Sequence, residues 1–133
     1  FNFLGFTLRV ARSRRNGKDF ALTRPSIKSL KQVRKAIKAN TRRDQLAMPT
    51  GRVVHKLNEI VRGWVGYFYY RHCSQDFSHL NEYLKERLRV YLRRKHRIKG
   101  RGYQTYPNRY LYEVLGLYRI PTTAPWTQAM RKP

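Results

Sequence analysis

Apolar and other residues alternate strictly over residues 4–10, which predicts a half-buried β-strand. Asn16-Gly17 marks a turn, and residues 20–23 are predicted to return as the second strand of a hairpin. A three-residue loop with its glycine in the left-handed region would pair Val10 with Leu22 rather than with the residue after it. We favour this register because the alternative places the apolar residues of the return strand on the opposite face.

Beyond the hairpin, apolar residues recur at spacings of three and four, which predicts amphipathic helices. The first helix is predicted over residues 26–40, with Ser26 as its N-cap because a serine hydroxyl can accept a hydrogen bond from the first turn. The second is predicted over residues 50–72. Inside it, Gly63 and Gly66 each cost about 1 kcal/mol relative to alanine, so a close helix crossing is predicted there.

A third helix is predicted to begin at an Asp76 N-cap and to stop at Gly100 or Gly102. A short fourth helix is predicted over residues 108–117, followed by an irregular tail from Pro121. The predicted fold class is therefore mainly α with a small N-terminal β-hairpin, in which three to four helices form a bundle.

The net charge of the chain limits the classes of binding partner more strongly than any short motif does. The 133 residues include 30 Lys+Arg against 7 Asp+Glu, a formal net charge of +23. Such an excess repels itself unless a polyanion neutralises it, so RNA, DNA or an anionic membrane are the candidate partners. No run of about 18 apolar residues is present, which argues against a membrane span. The chain opens in mid-pattern without an initiator Met, which suggests an excised domain.

The predicted nucleic-acid-binding cations form three groups. Those at the hairpin tip are Arg12, Arg14, Arg15 and Lys18. Those at helical spacing along the first helix are Lys28, Lys31, Lys35 and Lys38. Those of the third helix and the segment after it are Lys85, Arg89, Arg93, Arg94, Lys95, Arg97, Lys99 and Arg101. In an ordinary protein each group would be a solvated face, but here too few acids interleave to neutralise them. We expect them to contact phosphates.

Tyr103, Tyr106 and Tyr110 lie beside Arg101 and Arg109, outside the strongest apolar stripes. Aromatic rings among cations can stack on unpaired bases, so base stacking is a possible role for these tyrosines. Ordinary packing of the rings is the alternative.

Catalytic and metal-binding patterns are missing from the sequence. The 7 acids are scattered over different predicted elements, with no adjacent pair to hold two metal ions. His72, Cys73 and His79 lack the paired spacing of a zinc site. The single cysteine cannot form an internal disulfide, which fits a reducing compartment. We therefore expect no catalytic residue, no metal ligand and no cofactor in this chain.

The segment from Leu57 to Phe68 closely resembles the LNxxxRGWxxYF signature of group II intron reverse transcriptases. Phe3-Leu4-Gly5-Phe6 resembles the sequence that follows the palm domain in that family, and the whole resemblance spans about residues 3–120. Gly66 departs from the pattern, since many relatives have Asn there. The motif residues expected to serve structure are Arg62, Gly63, Trp64, Tyr67 and Phe68.

The resemblance implies the thumb and maturase-specific (X) region of an enzyme that copies RNA into DNA and assists splicing of its own intron. It implies a hairpin over residues 1–24 leading in from a missing palm domain, a thumb/X helical bundle over 25–100 and a C-terminal extension over 101–133. The expected partners are group II intron RNA, the RNA template–primer duplex and the palm domain of the same polypeptide, with no membrane. Mg²⁺ is expected only at the absent palm site, so this fragment should not polymerise alone. A bacterial cytoplasmic, nucleic-acid-associated location is expected.

Two other classes of binding protein fit the same charge. A general, ribosomal-type RNA-binding protein would bind any structured RNA with similar affinity. A duplex-DNA-binding domain would bind DNA as tightly as RNA. A self-sufficient polymerase is a third alternative, which primer extension by the fragment would reveal.

Overall fold

The computed structural model describes the backbone of residues 2–3, 6–12, 19–68 and 74–121, and the side chains within 25–68 and 75–121. The protein is mainly α-helical, as predicted. Its three long helices are α1 (Ile27–Ala39), α2 (Thr50–Phe68) and α3 (Ser74–His96). A short 3-10 turn, Arg43–Gln45, lies between α1 and α2, and a π-helical turn, Tyr110–Val114, follows α3.

An antiparallel sheet precedes the helices, with strands β1 (Asn2–Phe3), β2 (Phe6–Arg12) and β3 (Asp19–Pro25) in that order. The predicted register was wrong by one residue, because Val10 pairs with Ala21 and not with Leu22. Apolar residues occupy consecutive positions in β3, so its pattern does not select one register. The tip of the hairpin lies outside the described residues, and the predicted domain division stays a prediction.

The ends of α1 follow from local hydrogen bonds. Ser26 is the N-cap, as predicted, since its Oγ accepts a hydrogen bond from the backbone N–H of Ser29 at 3.1 Å. At the other end the buried hydroxyl of Thr41 donates to the carbonyl of Ile37 at 2.9 Å. This bond satisfies a carbonyl that the end of the helix would otherwise leave free.

Both predicted ends of α3 need correction. The helix begins at Ser74, so Asp76 lies inside its first turn, where a carboxylate still favours the helix dipole. It stops at His96, before either glycine, because Arg97 has a φ of +55°. The N–H of Ile98 then donates to the carbonyl of Arg93 at 2.9 Å, as in a Schellman ending. An arginine occupies the left-handed position that glycine usually takes.

One apolar core joins the three helices and the segment after α3. The buried residues of α1 are Val33 and Ile37. Those of α2 are Val53, Val54, Leu57, Val61, Val65 and Phe68. The buried apolar residues of α3 are Phe77, Leu80, Leu84, Leu88, Tyr91 and Leu92. Tyr106, Leu111, Leu117 and Ile120 complete the core from the C-terminal segment. The apolar residues that recur at spacings of three and four in the sequence therefore form the faces of the helices that point into the core.

The predicted close crossing at Gly63 and Gly66 was wrong. Both glycines are exposed, and a Cβ built on either would meet no atom within 4 Å other than the adjoining backbone of α2. The side of α2 that faces the core contains Val61 and Val65 and lies opposite the two glycines. The packing of Trp64 does not depend on the glycines. Its ring lies 4.6 Å from that of Phe68.

Removing core volume should cost far more stability than removing the same atoms at the surface of α1. Ile37 is fully buried and Ile27 is 71% exposed, so Ile37→Ala and Ile27→Ala delete identical groups in different environments. We expect Ile37→Ala to lower the free energy of unfolding by about 2–5 kcal/mol because it leaves a cavity. Ile27→Ala should change it by less than about 0.5 kcal/mol. Urea denaturation followed by circular dichroism measures both, and equal losses would contradict the assigned core.

Candidate nucleic-acid interface

The lysines of α1 form one continuous exposed row. Lys28, Lys31, Lys35 and Lys38 are all exposed, on the side of the helix away from the buried Val33. Ten residues of helix separate the first lysine from the last, a rise of about 15 Å. The helix contains no acidic residue, and no ion pair among the described residues involves these lysines. We call them the α1 lysine row.

Acidic side chains elsewhere are bound to local partners. Glu59 lies 2.8 Å from His55, Glu82 lies 2.7 Å from Lys85, and Glu113 lies 2.8 Å from Arg109. Each pair joins residues three or four apart along the chain, so these three acids contact neighbours on their own elements and not the lysines of α1. In the described part of the chain, no acidic side chain forms an ion pair with the α1 lysine row.

Two cations predicted to contact phosphates are buried instead. Lys85 is 6% exposed and Arg89 is 3% exposed. The guanidinium of Arg89 donates from Nε to the carbonyl of Tyr106 at 2.8 Å and from Nη2 to the side chain of Asn108. Helical spacing cannot distinguish a solvent-facing ridge from one that a later segment covers. Here the C-terminal segment contacts the ridge at Arg89, which binds that segment to α3.

Two further cations of α3 bind loops while staying partly exposed. Arg93 donates from Nη1 to the carbonyl of Gly100, and Lys95 donates to the carbonyls of Leu46 (3.0 Å) and Met48. A cation that donates to a carbonyl is held in place without an acidic partner. Both residues therefore stabilise the fold first, with only part of each side chain open to a ligand.

The remaining predicted cations of this region are exposed: Arg94, Arg97, Lys99 and Arg101. Partial burial, and then the nearby charges of Arg43, Arg87 and Arg93, lowers the pKa of Arg94. The exposed positive surface thus extends from the end of α3 to the connector between α1 and α2. Arg43 and Arg87 were not among the predicted phosphate contacts, although Arg87 begins the basic run of residues 87–101.

The hairpin-tip cations are outside what the structure describes. Arg12 ends β2, where only its backbone is described, and Arg14, Arg15 and Lys18 fall in the segment between β2 and β3. Their contribution to binding stays a prediction.

The three tyrosines differ from one another in exposure. Tyr103 is 50% exposed; its hydroxyl donates to Glu86 at 2.9 Å, and the guanidinium of Arg89 lies 4.6 Å from its ring centre. Tyr106 is only 6% exposed, and its ring lies 5.5 Å from that of the half-buried Tyr110. Burial, followed by the neighbouring phenol of Tyr110, raises the pKa of Tyr106. Base stacking by Tyr106 was therefore a wrong prediction, because its ring belongs to the core.

The Arg-Gly-Trp motif of α2 makes structural contacts. The indole Nε1 of Trp64 donates to Ser29 Oγ at 3.3 Å, and its ring lies 5.8 Å from that of Phe77. Phe68 is buried, and the guanidinium of Arg62 lies 5.2 Å from the ring centre of Tyr118. The motif therefore joins α2 to α1, α3 and the C-terminal segment. Tyr67, in contrast, is 54% exposed.

Asn58 is a structural residue that composition and charge did not reveal. Its Nδ2 donates to the carbonyl of Gly116 at 2.9 Å, and its Oδ1 accepts from the N–H of Tyr118 at 2.7 Å. Gly116 has a φ of +73°, so the chain turns sharply between the two bonds. Both bonds bind the C-terminal segment to α2. The second residue of the LNxxxRGWxxYF signature was the available signal.

The described residues contain neither a metal-binding cluster nor a membrane-spanning helix. Within residues 25–68 and 75–121, no three His, Cys, Asp or Glu side chains are grouped closely enough to hold a metal ion. No helix in the described part of the chain is long and apolar enough to cross a membrane.

Comparison with known proteins identifies one family. The model for the group II intron maturase-specific domain matches residues 30–110, which include most of α1, all of α2 and α3, and the start of the C-terminal segment. Neither the curated proteins nor the solved structures gave a match.

Removing the Arg89 guanidinium should loosen the C-terminal segment. Arg89→Met keeps the aliphatic stem but leaves the buried Tyr106 carbonyl without its donor, so we expect a loss of about 1.5–3 kcal/mol in the free energy of unfolding. Arg101→Met removes the same charge at an exposed position and should change it by less than about 0.5 kcal/mol. Urea denaturation of both variants measures the difference. Equal effects would show that Arg89 does not hold the segment.

Proposed function

Because the chain belongs to the family of group II intron maturase-specific domains, we propose that it binds group II intron RNA and assists the splicing of that RNA. The observation that most supports this proposal is the α1 lysine row, an exposed set of charges that no described acid neutralises. A rigid row of ammonium groups can neutralise successive phosphates and release their counterions. The exposed cations after α3, Arg97, Lys99 and Arg101, add further positive charge that a polyanion could contact.

Specificity in this proposal comes from RNA shape rather than from base edges. The grooves of an RNA helix offer few bases to side chains, so contacts to phosphates and 2′-hydroxyls dominate. Lysines suit this role because a flexible ammonium group adapts to phosphates at differing positions. Intron RNA that folds into a matching surface would bind most tightly.

We also infer the wider context of the chain from its resemblance to group II intron reverse transcriptases. In the complete enzyme the bundle would contact the template–primer duplex and the palm domain of the same polypeptide. The reaction would occur at Mg²⁺ ions held by the palm, so this fragment would need no cofactor and would not polymerise alone. A nucleic-acid-associated protein of the bacterial cytoplasm fits that context.

The α1 lysine row should account for a measurable part of the salt dependence of RNA binding. We expect Lys31→Gln/Lys35→Gln to reduce the steepness of log K against log salt by about 1.4–1.8, since each of the two lost phosphate contacts contributes about 0.7–0.9. Fluorescence anisotropy with a labelled intron RNA, measured over a range of KCl concentrations, gives the slope.

Arg109→Gln/Arg119→Gln is the matched control, because it lowers the net charge equally at residues that already contact Glu113 and the Tyr112 ring. Its slope should stay near that of the unmodified chain. Equal slopes for the two double variants would mean that net charge alone, and not the row, determines binding. Competition at moderate salt with unrelated structured RNA and with duplex DNA tests the two rival classes, and equal competition would favour one of them.

We propose that Tyr103 stacks on an unpaired base of the bound RNA. Arg89 and Glu86 hold its ring in place, and half of its surface remains exposed. Tyr103→Leu should weaken binding to an RNA with an unpaired loop by about 1–3 kcal/mol, while Tyr103→Phe, which keeps the ring, should bind nearly normally. Anisotropy titrations compare the three proteins. Equal weakening by both variants would point to the hydroxyl instead of the ring.

A further inference from the structure

Residues 40–49, the connector between α1 and α2, are bound to one face of α3. Arg87 donates from Nε to Thr41 Oγ1 at 3.1 Å and from Nη2 to the Thr41 carbonyl at 3.3 Å. One turn further on, the Tyr91 hydroxyl lies 3.1 Å from the Gln45 carbonyl and 2.8 Å from that of Met48. The backbone around the short 3-10 turn is therefore fixed against α3, and the guanidinium of Arg87 is fixed with it.

Two more arginines accompany Arg87: Arg94 on α3 and Arg43 in the connector. Arg94 follows Arg87 by two helical turns, so the two residues share a face of α3 about 10 Å apart along its axis. Arg43 begins the 3-10 turn and is exposed, as is Arg94. The charges of Arg43 and Arg87 are both close enough to lower the pKa of Arg94, after the effect of partial burial. Two arginines therefore lie on the face of α3 that binds the connector, and a third lies in the connector itself.

No described acid forms an ion pair with any of these three arginines. Asp44 is the acidic residue of the connector, and its Oδ1 accepts a hydrogen bond from the side chain of Gln45 at 3.4 Å. Bringing like charges together costs free energy, and an anion placed among them would recover it.

Holding the connector in place does not require all three arginines. Arg87 donates to the connector backbone, and so does Lys95. Arg43 and Arg94, by contrast, are exposed and make no hydrogen bond among the described residues. Fold stability therefore accounts for Arg87 and Lys95 but leaves the positions of Arg43 and Arg94 unexplained.

We propose that Arg43, Arg87 and Arg94 form a phosphate-binding site at the connector, which takes a backbone phosphodiester of the bound RNA. The guanidinium fork suits this role because it donates two parallel hydrogen bonds to phosphate oxygens, which an ammonium group cannot do. The site is separate from the α1 lysine row and would fix one phosphate at a defined position. Naming RNA as the source of the phosphate rests on the proposed function; the site itself does not.

The direct test is a titration of the 133-residue chain with inorganic phosphate, followed by the NMR signals of the arginine Nε–H groups. We expect the signals of Arg43, Arg87 and Arg94 to shift and to saturate together. Arg109, which contacts Glu113, should shift weakly and without saturation. Equal, non-saturating shifts at all four arginines would overturn the site, whatever the chain does with RNA.

The RNA arm uses variants of the exposed Arg94, which should fold normally, as thermal unfolding verifies. Arg94→Gln should weaken binding to intron RNA about tenfold, and Arg94→Lys should weaken it several-fold although it keeps the charge. Arg109→Gln, with the same loss of charge as Arg94→Gln, should change affinity less than about twofold.

Two results together would overturn the assignment. Arg94→Lys would bind intron RNA as tightly as the unmodified chain, and Arg94→Gln would bind it as tightly as Arg109→Gln. In that case RNA binding through the α1 lysine row would still stand. If instead the unmodified chain failed to bind RNA, the proposed function would fail, and a saturating phosphate titration would still support the arginine site.

Discussion

Electrostatic repulsion is the constraint on which this structure depends. A chain with 30 basic and 7 acidic residues must fold while most of its cations have no counter-charge. The apolar core of α1, α2, α3 and the C-terminal segment opposes that repulsion. Burial of apolar surface does not depend on charge, so the core can hold the helices together while their outer faces repel one another.

Some cations contribute to stability by donating to backbone carbonyls. Arg89 binds the Tyr106 carbonyl, Arg87 binds Thr41, and Lys95 binds Leu46. These bonds place positive charge against the negative ends of peptide dipoles, and they close the loops on both sides of α3. The cations of the α1 lysine row have no such partners. The same residue types therefore divide into a set that builds the fold and a set that remains open to a polyanion.

This division explains what the sequence could and could not predict. The stripe that buries Val33 and Ile37, the Ser26 cap and the bundle of helices follow from spacing and local hydrogen bonds, which are properties of short segments. The burial of Arg89 depends on a segment about twenty residues later in the chain, which supplies its hydrogen-bond acceptors. Residue spacing along α3 contains no information about that cover.

The other wrong predictions have related causes. Tyr106 looked available for stacking because its neighbours are polar, yet a contact with Tyr110 and the core removes it from the surface. The glycines of α2 were assigned to a crossing, but the helix turns them toward solvent. The placement of Arg43 in a connector bound to the face of α3 that includes Arg94 could not be predicted either, because about fifty residues separate the two arginines. Tertiary contacts decide each of these cases.

The most direct test of the account is lysine footprinting of the chain bound to intron RNA. Acetylation rates measured by mass spectrometry report which ammonium groups the RNA covers. The account predicts strong protection of Lys28, Lys31, Lys35 and Lys38, with Lys56 on α2 as an exposed reference that changes little. If the four lysines of α1 were acetylated at the same rate in the complex as in the free protein, the claim that they contact RNA phosphates would be contradicted.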